Sequence, residues 1–166
     1  MTENLEARIR RLEDRAAIVE VVINYARGVD HRDWTLFASC FTDPIVTDYS
    51  ALGSPPKTWE REPFVDSIRE WLSGFTATQH ISPNHVIEFD ERDPDRALCR
   101  SYMYARHHLE GSPNGDFYLA RGSYDNHMLR TPDGWRIERI VQYVFWQEGN
   151  TNAVAESRER FLQQQH

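Results

Sequence analysis

The chain has 166 residues, with 26 acidic against 19 basic side chains, a formal net charge of −7, and 40% hydrophobic and 27% charged residues. A chain of this length holds one well-buried core, and its composition is that of an ordinary globular protein, which excludes a disordered or fibrous molecule. The negative balance, with no basic patch to offset it, excludes a nucleic-acid backbone or an anionic membrane as partner.

Every apolar run is far shorter than the ~20 residues of a spanning helix. The polar opening MTENLEARIRR lacks the apolar stretch of a signal peptide, so the chain is expected to stay in the cytoplasm. Cys40 and Cys99 have no CxxC spacing and read as core thiols.

From Leu5 the apolar positions Leu5, Ile9, Leu12, Ala16, Val19, Ile23 and Ala26 alternate steps of four and three, one stripe along a helix that should cover a sheet. Ile18, Val22, Tyr25 and Val29 widen that stripe, and Gly28 offers a stop. Asp33 suits the cap of a short helix running to Phe41, with Trp34, Phe37, Ala38 and Phe41 at helical spacing. After Thr42-Asp43-Pro44, the run from Ile45 to Tyr49 reads as a strand, and Gly53-Ser54-Pro55-Pro56 as the loop that ends it. Pro63 can open another helix, which aligns Phe64, Ile68, Trp71, Leu72 and Phe75 and ends at Gly74.

From Thr78 the period becomes alternating. It predicts strands near 79–90, 97–109, 117–130 and 135–147, joined by turns at Asp93-Pro94-Asp95, Pro113-Asn114-Gly115 and Pro132-Asp133-Gly134. Helices gathered early and strands gathered late define an α+β fold, a curved antiparallel sheet wrapped around N-terminal helices. One domain is expected over 1–150, with 151–166 a tail or short helix.

That order, and the strings Tyr25-Ala-Arg-Gly-Val-Asp30-His-Arg-Asp-Trp34, Val46-Thr-Asp-Tyr49-Ser, Thr78-Gln-His80 and Asp133-Gly-Trp-Arg-Ile137, resemble the SnoaL-like branch of the nuclear-transport-factor-2-like superfamily, a cone-shaped α+β barrel. The nearest parallels in motif are its eliminating enzymes: scytalone dehydratase, hexachlorocyclohexane dehydrochlorinase and bile-acid 7α-dehydratase. The resemblance implies a cofactor-independent lyase, of dehydratase type, acting on a small hydrophobic hydroxylated ring or polycycle. An isomerase or cyclase could use the same parts. It carries an Asp-His dyad onto Asp30 and His80, a catalytic tyrosine onto Tyr49, a second pocket histidine onto His107 and a helix tyrosine onto Tyr25. The asparagine of the third meander strand falls near Asp125. Val29 departs from the pattern, standing where scytalone dehydratase has a tyrosine.

The residues themselves leave alternatives open. Asp30 reads either as a helix-end carboxylate or as the partner that fixes a tautomer of His80 and stabilises its imidazolium. His80 alone also reads as a satisfied strand histidine. His107 shares a strand face with Ala97, Cys99, Ser101, Met103 and Ala105, small and apolar enough to line a cavity, which makes Met103 a substrate contact. Asp125 shares a face with Phe117, Leu119, Ser123 and His127, and is a candidate pocket residue. In the last strand Trp135, Ile137, Arg139, Val141, Tyr143 and Phe145 form one face, so Phe145 is expected in the pocket. The opposite face, with Ile140, Val144 and Trp146, is expected to join Tyr102 and Tyr104 as an interface between copies, a trimer in preference to a dimer. Histidine spacing suggests no metal site. A second reading makes the chain a non-catalytic small subunit of an aromatic-ring-hydroxylating dioxygenase, and a third a binding protein without turnover.

Overall fold

The computed structural model describes residues 4–165. Its first helix, α1 (Leu5–His31), begins where the Asn4 side chain accepts a hydrogen bond from the Glu6 N–H, and ends at Arg32, which is left-handed at φ 56° and donates its N–H to the Val29 carbonyl. Gly28 therefore does not stop the helix. It lies inside, where a Cβ would come within 2.7 Å of the Phe37 backbone, so glycine is what admits α2 (Trp34–Ser39) so close to α1. Asp33 caps α2 as its position predicts, accepting from the Leu36 N–H at 2.9 Å.

The face that α1 turns to the sheet carries Ile18, Val22, Tyr25, Gly28 and Val29. The longer stripe is left in solvent over its first half, where Leu5 is 65% exposed, Ile9 47% and Leu12 67%; further along Val19 packs partly on the core, while Ile23 is 46% exposed. Both lines of residues have helical spacing, and periodicity alone does not say which one meets the sheet. Before Ile18 the sheet-facing side is polar. Asp14 accepts from Arg130 at 2.6 and 2.7 Å and from the Trp135 ring N–H at 3.0 Å, and the Arg11 guanidinium lies over the Phe89 ring.

Seven strands and two further helices complete the chain. They are β1 (Phe41–Tyr49), β2 (Ser54–Trp59), α3 (Arg61–Leu72), β3 (Ala77–Ile81), β4 (Val86–Phe89), β5 (Arg96–His108), β6 (Phe117–Thr131), β7 (Gly134–Gly149) and α4 (Ala153–Gln163). The sheet runs β2-β1-β7-β6-β5-β3, with β4 also paired to β5. It is curved and unclosed. All its pairs are antiparallel except β1 with β7, which is parallel.

Three local expectations are corrected. Ser54–Trp59 is a strand and not a loop, its prolines tolerated because an edge strand needs partners on one side only. The 79–90 run is two strands, interrupted near Pro83 and Asn84, the latter left-handed at φ 62°. In β7, Glu138 and Phe145 are bulged: His127 faces Arg139 and Met128 faces Ile137, while Arg121 faces Trp146 and Gly122 faces Val144. Each extra residue reverses the in-out alternation. Ile140, expected outside, is thus 1% exposed, and Val144 packs on the core, whereas Tyr143 is 46% exposed and Phe145 57%.

The core fills the concave side of the sheet beneath α1 and α3. Tyr25, Phe37, Phe41 and Phe64 stack there with ring centroids 4.9–6.0 Å apart. Burying each such ring stabilises the fold by about 1.5–3 kcal/mol. α4 lies on α3 with Ala153 and Ser157 buried, and Gly74 is the point of closest approach, where a Cβ would stand 1.9 Å from the Ser157 carbonyl oxygen.

Candidate active site

Asp30 stands in the last turn of α1, and Thr78 and His80 stand two residues apart on β3, so both β3 side chains point the same way. His80 Nδ1 is 2.7 Å from Asp30 Oδ1. The His80 backbone N–H donates to Oδ2 at 2.8 Å, and the Thr78 hydroxyl donates to Oδ1 at 2.9 Å. Burial raises the Asp30 carboxyl, but the hydrogen bond and charge of His80, its N–H and the Thr78 hydroxyl together outweigh burial and hold Asp30 below the usual carboxylate range. A carboxylate so placed keeps the proton of His80 on Nδ1, leaving Nε2 with its lone pair. The side chains of His80 and Asp30 are 8% and 17% exposed, enough for a small molecule to reach them.

β5 brings in His107, opposite Thr78 in the ladder. Its ring meets His80 edge-on at a centroid distance of 5.2 Å and packs against Phe75 and Tyr118. Burial, reinforced by the neighbouring His80, pushes His107 down to about 3, so the ring is neutral near pH 7. Its Nδ1 has no hydrogen-bond partner, and neither have Ser101 Oγ and Asn126 Oδ1 on the same concave wall. Three buried polar atoms without partners leave that wall short of hydrogen bonds that a polar ligand or water would supply.

The hydroxyls of Tyr25, Tyr49 and Tyr124 gather deeper in, where burial raises all three above the ordinary tyrosine range and keeps them protonated. Gln142 reaches this group, with Nε2 3.4 Å from the Tyr124 hydroxyl and 2.9 Å from the Met103 sulfur. The dyad also borders an open cleft of about 300 Å³ between α1 and the end of β3, walled by Ile23, Ala26, Arg27, Ile81 and Pro83. Among the described residues, no three His, Cys, Asp or Glu side chains gather as a metal site, and no helix is long and apolar enough to cross a membrane.

The structure therefore brings Asp30, His80 and His107 together, places Met103 inside, and sets Tyr25 and Tyr49 in a tyrosine group with Tyr124. Two expectations fail. Asp125 lies on the outer face, 3.7 Å from the Arg100 guanidinium, because its strand points Tyr118, Ala120, Gly122, Tyr124, Asn126 and Met128 inward. Its neighbour Asn126 is the one that points inward, 2% exposed. Phe145 is turned out by the earlier bulge at Glu138, which reverses the alternation before it is reached. Sequence reading also missed Thr78, Tyr124 and Gln142 as site residues. For Tyr124 the signal was present, since its face of β6 is the more apolar one.

The fold is that of a nuclear-transport-factor-2-like α+β protein, with the Asp30–His80 pair beside an open cleft. The chain belongs to the SnoaL-like domain family, whose model matches residues 10–141. Among curated proteins it is 26% identical over 145 residues to the uncharacterised protein Rv2910c of Mycobacterium tuberculosis, covering 84% of this chain and 91% of that one. The Kfla4162 protein of Kribbella flavida superposes with a TM-score of 0.78 at 32% identity, covering 88% of this chain and 99% of that one. A scytalone dehydratase-like protein from Novosphingobium aromaticivorans superposes at 0.73 with 19% identity, covering 84% and 89%. A type 2 hexachlorocyclohexane dehydrochlorinase does so at 0.72 with 21% identity, covering 85% and 91%. At those identities the last two speak for the fold alone.

Proposed function

We propose that the chain is a cofactor-independent lyase that removes water from a small hydrophobic, hydroxylated cyclic ketone or polycycle, with Asp30 and His80 as its acid/base dyad. The observation that carries this reading is the 2.7 Å contact between His80 Nδ1 and Asp30 Oδ1, which leaves Nε2 free. Nε2 takes a proton from the carbon beside the carbonyl, and Asp30 stabilises the imidazolium that forms. The electron pair of that C–H bond becomes the new C=C bond as the neighbouring C–O bond breaks. His80 then returns its proton to the departing hydroxyl, which leaves as water. His107 and Tyr49 act as neutral hydrogen-bond donors to the carbonyl as negative charge develops on it, because burial keeps one deprotonated and the other protonated at pH 7.

The test is a screen of hydroxylated cyclic ketones, followed by the ultraviolet absorbance of the conjugated product. His80→Ala and Asp30→Asn are each expected to lower kcat about 10²–10⁴-fold. Unchanged turnover of a confirmed substrate in both variants sinks the mechanism.

A second reading is favoured by the outer face of the sheet, where Tyr102, Tyr143, Phe145 and Trp146 are 55, 46, 57 and 49% exposed. As a supporting subunit of a larger oxygenase, the chain would dock that face on its partner and turn nothing over. A stable homo-oligomer of the purified chain counts against this, and one that Trp146→Ala disrupts would make the sheet face the trimer contact, with Trp146 as its anchor.

A further inference from the structure

We propose that α1 pairs with the α1 of a second copy of this chain as a parallel, in-register, two-stranded coiled coil along its exposed stripe. Leu5, Ile9, Leu12, Ala16, Val19, Ile23 and Ala26 repeat in unbroken steps of four and three, the 3.5-residue period of a supercoiled seam. Among the described residues no element covers the seam's first half, where Leu5, Ile9 and Leu12 are 65, 47 and 67% exposed. The residues that hold α1 to its own sheet, Ile18, Val22, Tyr25 and Val29, lie roughly a third of a turn away around the helix, at 3.6 residues per turn. Val19 also packs against the core, and Ile23 and Ala26 wall the cleft beside Asp30 and His80, so the stretch of the stripe free for a second copy runs from Leu5 to Ala16.

Two independent features name the occupant as a second copy. Over its free first half the seam places Ile9 and Ala16 at one of its two repeating positions and Leu5 and Leu12 at the other. Isoleucine at the position called a, with leucine at d, is the combination that favours two parallel strands. The flanks carry opposite signs. Glu6, Glu13 and Glu20 each follow a d residue, and Arg8 and Arg15 each precede an a residue. In a parallel pair the residue before a faces the residue after d one heptad on, so Arg8 meets the partner's Glu13 and Arg15 meets the partner's Glu20. An antiparallel pair would set glutamate against glutamate and arginine against arginine. The pattern is therefore complementary to itself in one orientation only.

Arg15 already sits between the two contacts, its guanidinium 3.3 Å from the Ile87 carbonyl at the sheet's margin. A twofold axis along the seam puts the two sheets on opposite sides of the helix pair. A seam of ~12 residues is marginal by itself, but here the core holds the second half of each helix in shape, so association does not bear the cost of helix nucleation.

Disulfide trapping of the full-length chain tests the proposal. The native thiols do not interfere, as Cys40 and Cys99 are 1% and 0% exposed. Under mild oxidation Ile9→Cys, on the seam, is expected to form a covalent dimer, and Arg10→Cys, on the next position round the helix, is expected to stay a single chain on a non-reducing gel. Arg8→Glu and Glu13→Arg should each weaken self-association about tenfold, and the double variant should restore it. Equal cross-linking of the two cysteine variants, a wild-type monomer at tens of micromolar by light scattering, or a double variant no better than the singles overturns the proposal. So does an oligomer untouched by all these changes, which would place assembly on the outer sheet face.

Discussion

The two halves of α1 belong to one unbroken helix and are held by different physics. From Ile18 to Val29 the helix is fixed by apolar burial, and its last turn delivers Asp30 to His80 within hydrogen-bonding distance. From Leu5 to Arg15 it is fixed by charge, through Asp14 on Arg130 and Trp135 and through Arg11 over Phe89, while its apolar residues face away. The second half is fixed by close-packed apolar contacts, the first by directed polar ones, with the part-buried Asp14 carboxylate taking two bonds from Arg130 and one from Trp135. The half that carries Asp30 is held by the core, and the other is left with an apolar surface open to contact.

The sharpest way to break this contrast is truncation at one position in each half. Ile18→Ala, fully buried, is expected to cost about 2–5 kcal/mol in urea unfolding, whereas Leu12→Ala, measured in protein dilute enough to keep copies apart, should stay within about 0.5 kcal/mol. Equal losses would mean that Leu12 packs inside its own chain. Next in size is Gly28→Ala. Helix propensity alone would gain about 1 kcal/mol, but the 2.7 Å approach of the Phe37 backbone should turn this into a net loss of about 1–3 kcal/mol, read from the same unfolding curves.

A smaller effect depends on pH. His107 is depressed from 6.5 to about 3, so below 6.5 the unfolded chain takes up a proton that the folded chain refuses. Stability is therefore lost as pH falls from 6.5 towards 3, by up to about 1.4 kcal/mol per pH unit for this one group. Asp30, lowered in the fold, adds a loss on the same side, at still lower pH as its carboxylate protonates. His107→Gln should flatten the upper part of that slope; an unchanged profile would mean that the ring is not held neutral. The smallest expected change is at the solvated start of α1, where the 3.4 Å cap from Asn4 is long and exposed. Asn4→Ala should cost about 0.5 kcal/mol or less by thermal melting.

What could be read without coordinates divides along a related line. The order of helices and strands was legible because it rests on local period, and so was the Asp33 cap. Asp30 and His80 were legible as a pair only through the resemblance; composition alone left each with a bland alternative. Which stripe of α1 would meet the sheet was not legible, because both satisfy the same period and the choice is made by a sheet formed up to a hundred residues later. The faces of β7 were misread for a similar reason. A bulge is an event between two strands, and nothing in the residues around Glu138 and Phe145 announces it. The bulge at Glu138 alone sent Phe145 to the wrong side and hid Gln142, while Asp125 was misplaced by choosing the less apolar face of β6. The outer aromatic face survived in part, since Tyr102 and Trp146 are exposed whereas Ile140 and Val144 are not.

The strand that escaped sequence reading, β2, also has a protective consequence for the molecule. Its residues Ser54 to Thr58 are exposed, and it ends the sheet on the far side of β1. An open strand edge is a template on which other chains can polymerise. Here two of its six residues, Pro55 and Pro56, have no N–H to offer, and Lys57 adds a charge that a stacked neighbour would have to bury. The prolines that make this segment look like a loop thus act as a stop against runaway sheet growth, and a chain that replaced both with valine would be expected to gain strand character and lose solubility together.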